Sequence, residues 1–249
     1  MGVKDAEGAR PPSGGLHGRR RGKALRARHA ALMREALPAL AVDASRPIDP
    51  VALFGGPFSA LWLEIGFGAG EHLAARAARE PETGFIGCEA FHNGVAGALA
   101  LIEAGALSNV RLYEGDARDV IEALPEDSLD GACLLFPDPW PKRRQRKRRF
   151  LSDETLARLA RVMKPGAPLR FATDVDDNAG WTLARVLRSS FFEWPAHGPD
   201  DWRRPYAGWS GTRYEAKALR EGRDCAYFTF VATGRKPART GAARVASGA

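Results

Sequence analysis

The run LEIGFGAG, residues 63–70, constrains what this chain can fold into more than any other segment. Apolar residues lead into three closely spaced glycines, Gly66, Gly68 and Gly70, and an Ala/Leu-rich stretch follows. This reads as a strand entering a tight turn and then a helix beginning near Ala69, because glycine accepts the positive φ of such a turn and lets a ligand lie against bare backbone. The dinucleotide pattern G-x-G-x-x-G would need glycine at position 71, where the chain has Glu71, so a diphosphate ligand loses support. Glu64 places negative charge beside the turn and suits a cationic ligand better.

The strand-then-helix rhythm continues along the chain. Strands are expected near 60–65, 84–88, 109–113, 129–136, 167–173 and 225–232, and helices near 25–37, 69–79, 92–104, 118–124, 152–163 and 176–188. Right-handed crossovers then give an α/β domain, a doubly wound open parallel sheet covered on both faces, with ligands at the carboxyl ends of its strands. One domain over residues 24–232 accounts for the length. Residues 1–23 and 233–249 mix Gly, Pro, Ser and Arg without periodicity, so both basic ends are expected to lack fixed structure.

Acidic residues stand where the strands should end: Glu64, followed by Gly66, on the first, Glu89 on the second, Asp116 on the third, Asp138 on the fourth and Asp174 on the fifth. Singly, each could be a helix cap or a turn former; five in succession suggest a site. Glu89 follows Gly66 by 23 residues, near the spacing of roughly 20 at which an acidic residue meets ribose hydroxyls. Asp116, in EGDAR, could meet an adenine edge or simply cap the next helix.

The net charge of +7 is unevenly placed. Residues 1–28 hold eight Lys/Arg against two acids, residues 142–149 (KRRQRKRR) hold seven bases and no acid, and residues 232–249 hold four bases and no acid. The remainder is an acidic body, with 18 bases against 28 acids. Such a distribution suggests a polyanion held at defined places, with counterion release supplying much of the affinity. Cys88, Cys133 and Cys225 are dispersed in apolar surroundings and read as packing, and the five histidines show no ligand spacing, so no metal is expected. The longest apolar runs fall short of the roughly 18 residues of a membrane span, and the N-terminus lacks an apolar signal core; a cytoplasmic protein is expected.

After the fourth strand the chain reads LLFPDPWPK, residues 134–142. Proline on both sides of Asp138 stiffens the backbone, and Trp140 adds an aromatic face. Further on, DWRRPYAGWSGTRYE interleaves Trp202, Tyr206, Trp209 and Tyr214 with Arg203, Arg204 and Arg213. Those rings could stack on bases or could pack as a cover on the sheet.

The combination of LEIGFGAG, PDPWPK with its basic run, ATD at 172–174 and TRYE at 212–215 resembles the bacterial tRNA (guanine-N7-)-methyltransferase family over about residues 55–232. The resemblance implies a Rossmann-like class I methyltransferase with a mostly parallel seven-stranded sheet, S-adenosylmethionine as methyl donor, and tRNA as partner, methylated on a variable-loop guanine. It implies donor contacts from Glu64, Gly66, Gly68, Glu89, Asp116 and Asp138, with Asp138 also catalytic. It implies substrate contacts from Lys142, Asp174, Thr212, Arg213, Tyr214 and Glu215, and RNA contacts from Arg144, Gln145, Arg146, Lys147, Arg148 and Arg149. Family members commonly carry His where this chain has Gln145, and Lys-Phe where it has Arg213-Tyr214. A monomer or weak homodimer is expected.

The chemistry agrees with the residue types. Guanine N7 has a free in-plane lone pair and needs no general base, while carboxylates such as Asp138, Asp174 and Glu215 could hold the base and stabilise the charge it acquires. A small-molecule methyltransferase would share the donor site but has no use for the internal basic run. An idle RNA-binding protein would leave the strand-end carboxylates without a purpose.

Overall fold

The computed structural model describes residues 18–238. Among them the strands are β1 (Ala60–Ile65), β2 (Thr83–Glu89), β3 (Val110–Glu114), β4 (Gly131–Leu135), β5 (Pro168–Thr173), β6 (Phe192–Glu193) and β7 (Ala226–Ala232). The helices are α1 (Ala27–Glu35), α2 (Leu37–Leu40), α3 (Pro50–Phe54), α4 (Glu71–Arg79), α5 (His92–Ala104), α6 (Ala117–Ala123), α7 (Asp153–Val162), α8 (Asp176–Arg188), α9 (Asp200–Arg203) and α10 (Arg213–Arg220), with a 3₁₀ turn over Arg143–Arg148.

All seven strands form one sheet in the order β3-β2-β1-β4-β5-β7-β6. Strands β1 to β5 run parallel, whereas β7 pairs antiparallel with β5 and β6 with β7. The order reverses between β1 and β4, and a reversal of this kind opens a crevice at the strand ends. The doubly wound, mostly parallel sheet read from the sequence is therefore present. The six expected strands appear within two residues of their expected bounds, and the two-residue β6 is additional.

Side-chain alternation explains the two layers of core. On β1, Leu61, Leu63 and Ile65 face one cluster with Leu134, Leu156, Leu159 and Phe171, while Trp62 faces the other with Phe85, Leu73, Leu99 and Leu112. Burying each such side chain stabilises the fold by roughly 1.5–3 kcal/mol. Cys88 and Cys133 are buried in these clusters, and Cys225 packs at the edge of the second. Trp62 is flanked by two guanidiniums, those of Arg76 at 4.0 Å and Arg170 at 4.8 Å from its ring centre.

The expected helix over 25–37 is two, α1 and α2, broken at Ala36 before Leu37-Pro38. Expectation also placed the first crossover helix near Ala69. It starts at Glu71, because Gly70 adopts φ +84° as its N-cap and keeps residue 69 in the turn. Residues 20–23, assigned by sequence to the basic arm, lie along α5. The His92 amide donates to the Arg20 carbonyl at 2.9 Å, and Asn93 accepts from the Gly22 amide at 2.7 Å and donates to the Lys23 carbonyl at 2.8 Å. At the other end, Lys236 donates to the carbonyls of Ala160 and Met163, each at 2.9 Å. The rest of both terminal segments lies outside the described residues. Among the described residues, no helix is long and apolar enough to cross a membrane.

Candidate active site

The glycine turn after β1 needs its glycines. Gly66, Gly68 and Gly70 have φ of +69°, +63° and +84°, values an L side chain rarely adopts. The turn is tied to β2: the Gly66 amide donates to the Cys88 carbonyl at 2.8 Å, and the Gly68 amide to the Glu89 carboxylate at 2.8 Å. The other Glu89 oxygen accepts from the Phe91 amide at 2.8 Å. Burial pushes the Glu89 carboxyl above the ordinary carboxylate range, against its backbone hydrogen bonds and with a further upward push from the charge of Asp138.

Asp116 takes the helix-capping role its sequence context allowed. It caps α6 by accepting from the Arg118 amide at 3.0 Å, and the same oxygen takes the Arg118 guanidinium at 3.0 Å. Its other oxygen, Oδ2, is buried with no hydrogen-bond partner. An unsatisfied buried acceptor costs free energy, so this atom fits a ligand N–H.

Asp138 stands on a strained loop. The two residues that bracket Pro137-Asp138-Pro139, Phe136 and Trp140, have φ of +48° and +43°, and aromatic residues there store about 1–3 kcal/mol each. The loop is held down by the Phe136 amide, which donates to the Ala172 carbonyl at 2.7 Å, and by Arg149, which donates to the Pro139 carbonyl at 2.7 Å. The prolines were legible in sequence; the two left-handed aromatic residues were not.

These parts meet in one cleft of about 460 Å³ at the carboxyl ends of β1 to β4, within the range of about 300–1,000 Å³ typical of small-ligand sites. Gly66, Gly68, Glu89, Asp116, Asp138 and Tyr214 all line it, together with Trp140 and Arg148. Residues 18 and 19 reach its mouth, which sequence reasoning had not joined to the site.

Glu64 does not line the cleft, contrary to expectation. Its alternation along β1 turns it to the Trp62 face, where it is 5% exposed and its carboxylate meets His72 Nδ1 at 2.7 Å. His72 Nε2 in turn meets the Tyr206 hydroxyl at 2.7 Å.

Several other expected contact residues have partners within the protein. Arg149, expected to contact RNA, is 5% exposed and donates to the Asp177 carbonyl and carboxylate, so it fastens the basic turn to α8. Arg146 shares that carboxylate at 2.5 Å and is half-buried, as are Gln145 and Arg148; Lys142, Arg144 and Lys147 are exposed. Glu215 and Thr212 form the capping box that starts α10, and Glu215 also accepts from Trp209 Nε1 at 2.8 Å and from the Tyr227 hydroxyl. Asp174 pairs with Arg223 at 2.8 Å outside the cleft, and Arg213 pairs with Glu71 at 2.6 Å. Of the proposed guanine-holding carboxylates, the structure brings Asp138 to the cleft and commits Asp174 and Glu215 to internal partners.

The aromatic residues of the late segment divide in the same way. Trp202 packs on Trp194 and Trp209 on Tyr227, whereas Tyr214 is 49% exposed in the cleft wall. A helix over 213–220 was missed because its mean hydropathy is low, although T-x-x-E is a readable capping signal.

The Rossmann-like sheet, its glycine turn and its acidic strand ends form a nucleotide-type ligand site, and residues 59–227 match a family model described as a putative methyltransferase, which makes the class of the protein a methyltransferase. The chain is 51% identical over 216 residues to a tRNA (guanine-N(7)-)-methyltransferase of Agrobacterium fabrum, covering 86% of this chain and 93% of that one. It is 50% identical over 230 residues to the protein of the same name from Rhizobium meliloti, covering 92% and 99%. The chain belongs to the tRNA (guanine-N7-)-methyltransferase family.

Proposed function

We propose that this chain transfers the methyl group of S-adenosylmethionine to N7 of a variable-loop guanine in tRNA, acting in the cytoplasm as a monomer or weak homodimer without a metal. The observation that carries the reading is the convergence of Glu89, Asp116 and Asp138 on one cleft that Arg148 of the basic turn also lines, with Lys142, Arg144 and Lys147 of the same segment exposed.

The cleft residues fit the donor. Gly66 and Gly68 leave backbone bare for its amino-acid portion, Glu89 has lone pairs to accept ribose hydroxyls, and the unpartnered Oδ2 of Asp116 matches an adenine amine. S-adenosylmethionine supplies a methyl on a sulfonium, which N7 takes through its lone pair as the S–C electron pair returns to sulfur. No general base is needed. The task of the protein is to place and to polarise: Asp138, on its stiff loop, stabilises the positive charge that passes to the purine and can accept from guanine N–H groups. Tyr214 offers a ring for the base at the cleft wall, and the guanine must leave its stack to arrive there.

The test is Asp138→Asn, assayed for methyl transfer to bulk tRNA and for N7-methylguanine by borohydride and aniline cleavage. The expected result is a folded protein that binds tRNA and loses at least about 10²-fold in turnover. Undiminished turnover would remove Asp138 from the mechanism.

A further inference from the structure

The basic segment is sorted by its own helical period. In a 3₁₀ helix the side chains at i and i+3 lie above one another, so the turn over Arg143–Arg148 and the Arg149 that ends it present separate faces. Arg144 and Lys147 share an exposed one. Gln145 and Arg148 share a half-buried one, on which the Arg148 guanidinium lies 4.9 Å from the Trp140 ring centre and lines the cleft. Arg146 and Arg149 share the third, which is turned to α8.

One carboxylate holds that third face. Oδ1 of Asp177, in the first turn of α8, accepts from Arg146 Nη2 at 2.5 Å, and its Oδ2 accepts from Arg149 Nη2. Among the described residues, no other carboxylate pairs with either guanidinium. Arg149 is buried, and its other donors reach the Asp177 carbonyl at 3.1 Å and, beside Asp138, the Pro139 carbonyl at 2.7 Å. Its guanidinium also lies 5.2 Å from the ring centre of Trp181, one turn further along α8. Asp177 has no step in the mechanism above and is not among the residues that line the cleft.

We infer that Asp177 is a positioning residue of the basic turn: by gripping Arg146 and Arg149 with one carboxylate it fixes the rotation of the turn about its own axis, so that Arg144 and Lys147 face the phosphates while Arg148 faces the cleft. The part that concerns RNA rests on the proposed reaction; the fixing of the turn does not. A turn this short has little stability of its own, and a rotation by one residue, roughly 120°, would exchange its faces. Arg149, buried as a cation, needs a counter-charge, and Asp177 supplies it while satisfying a second arginine. Charge alone predicts the opposite effect on binding, because removing a carboxylate beside a polyanion site removes repulsion and frees two arginines for phosphates.

The experiment uses the full chain with Asp177→Ala and Asp177→Asn. It measures amide hydrogen exchange over residues 142–149, KM and kcat for tRNA, the salt dependence of tRNA binding, and calorimetric Kd for S-adenosylhomocysteine. Asp177→Ala is expected to speed exchange in the turn and raise the tRNA KM about five-fold or more, with the S-adenosylhomocysteine Kd within about two-fold of the parent. Asp177→Asn should move exchange and KM in the same direction, and it decides the matter where Asp177→Ala does not fold. A tRNA KM at or below the parental value overturns the inference, since a carboxylate that only stabilises the fold leaves the KM of the folded enzyme unmoved and one that only repels RNA lowers it. A salt slope steepened by about one overturns it as well, because the freed arginine would then be taking up a phosphate in place of Asp177. So does parental exchange over 142–149. A parent chain that neither binds nor methylates tRNA rejects the proposed reaction instead, and exchange still decides whether Asp177 fixes the turn.

Discussion

The carboxylate of Glu89 is hydrogen-bonded to the amide of Gly68 at 2.8 Å, so the acidic end of β2 and the glycine turn after β1 form one rigid wall of the cleft. A ligand held by Glu89 is therefore placed relative to bare backbone as well as to a charge.

Titration of Glu89 should be visible in donor binding. Its carboxyl is raised by burial, so it takes up a proton at a higher pH than an ordinary Glu. The charged form is the better acceptor for ribose hydroxyls; affinity for S-adenosylhomocysteine should fall as pH drops through that raised value. Calorimetry as a function of pH should show this loss in the parent and a flat, weaker profile in Glu89→Gln. A pH-dependent profile in the variant would place the titrating group elsewhere.

Gly94 on α5 has no room for a side chain, since a Cβ there would stand 2.2 Å from the Gly68 carbonyl oxygen. Gly94→Ala must push the helix and the turn apart. We expect a loss of roughly 1–3 kcal/mol in stability from overpacking, together with weakened donor binding. Thermal unfolding with and without S-adenosylhomocysteine measures both, and a fully retained ligand shift would show that the turn tolerates the displacement.

The basic segment should separate into structural and RNA-facing members. Arg149→Ala leaves the Pro139 and Asp177 carbonyls without their donor and should cost about 2 kcal/mol of stability. Lys142, Arg144 and Lys147 are exposed; replacing all three with Ala should leave stability intact and reduce the slope of log K against log salt by about one for each phosphate that is no longer neutralised. Equal salt slopes for parent and triple variant would exclude these residues from RNA binding.

Asp177 predicts an acid-side effect. The hydrogen bond from Arg149, more than any other contact, holds its carboxyl below the ordinary Asp value. A depressed folded-state pKa stabilises the fold above the unfolded value, and that contribution disappears as pH falls through the folded one. Denaturant titrations between neutral pH and about pH 3 should show a smaller acid-side loss in Asp177→Asn than in the parent. The difference should be modest, because the Asp177 side chain is substantially exposed.

Much of this architecture was legible from local pattern. The helices over 92–104 and 176–188 have the bounds read from periodicity, and Glu89, Asp116 and Asp138 reach the cleft from the strand ends where they were expected. What escaped was short or made by distant partners: β6 has two residues, and Phe136 and Trp140 take left-handed φ without any glycine to announce it.

Sequence alone determined the α/β class, the glycine turn, the family and the acidic residues of the cleft, because strand and helix periodicity and the spacing of strand ends are local properties of the chain. Only the tertiary structure decided which partners the charges have within the protein. Glu64 meets His72, Arg149 meets Asp177 and Glu215 meets Trp209 and Tyr227, over separations of up to dozens of residues. A side chain's partner depends on which element packs opposite it, and no motif records that.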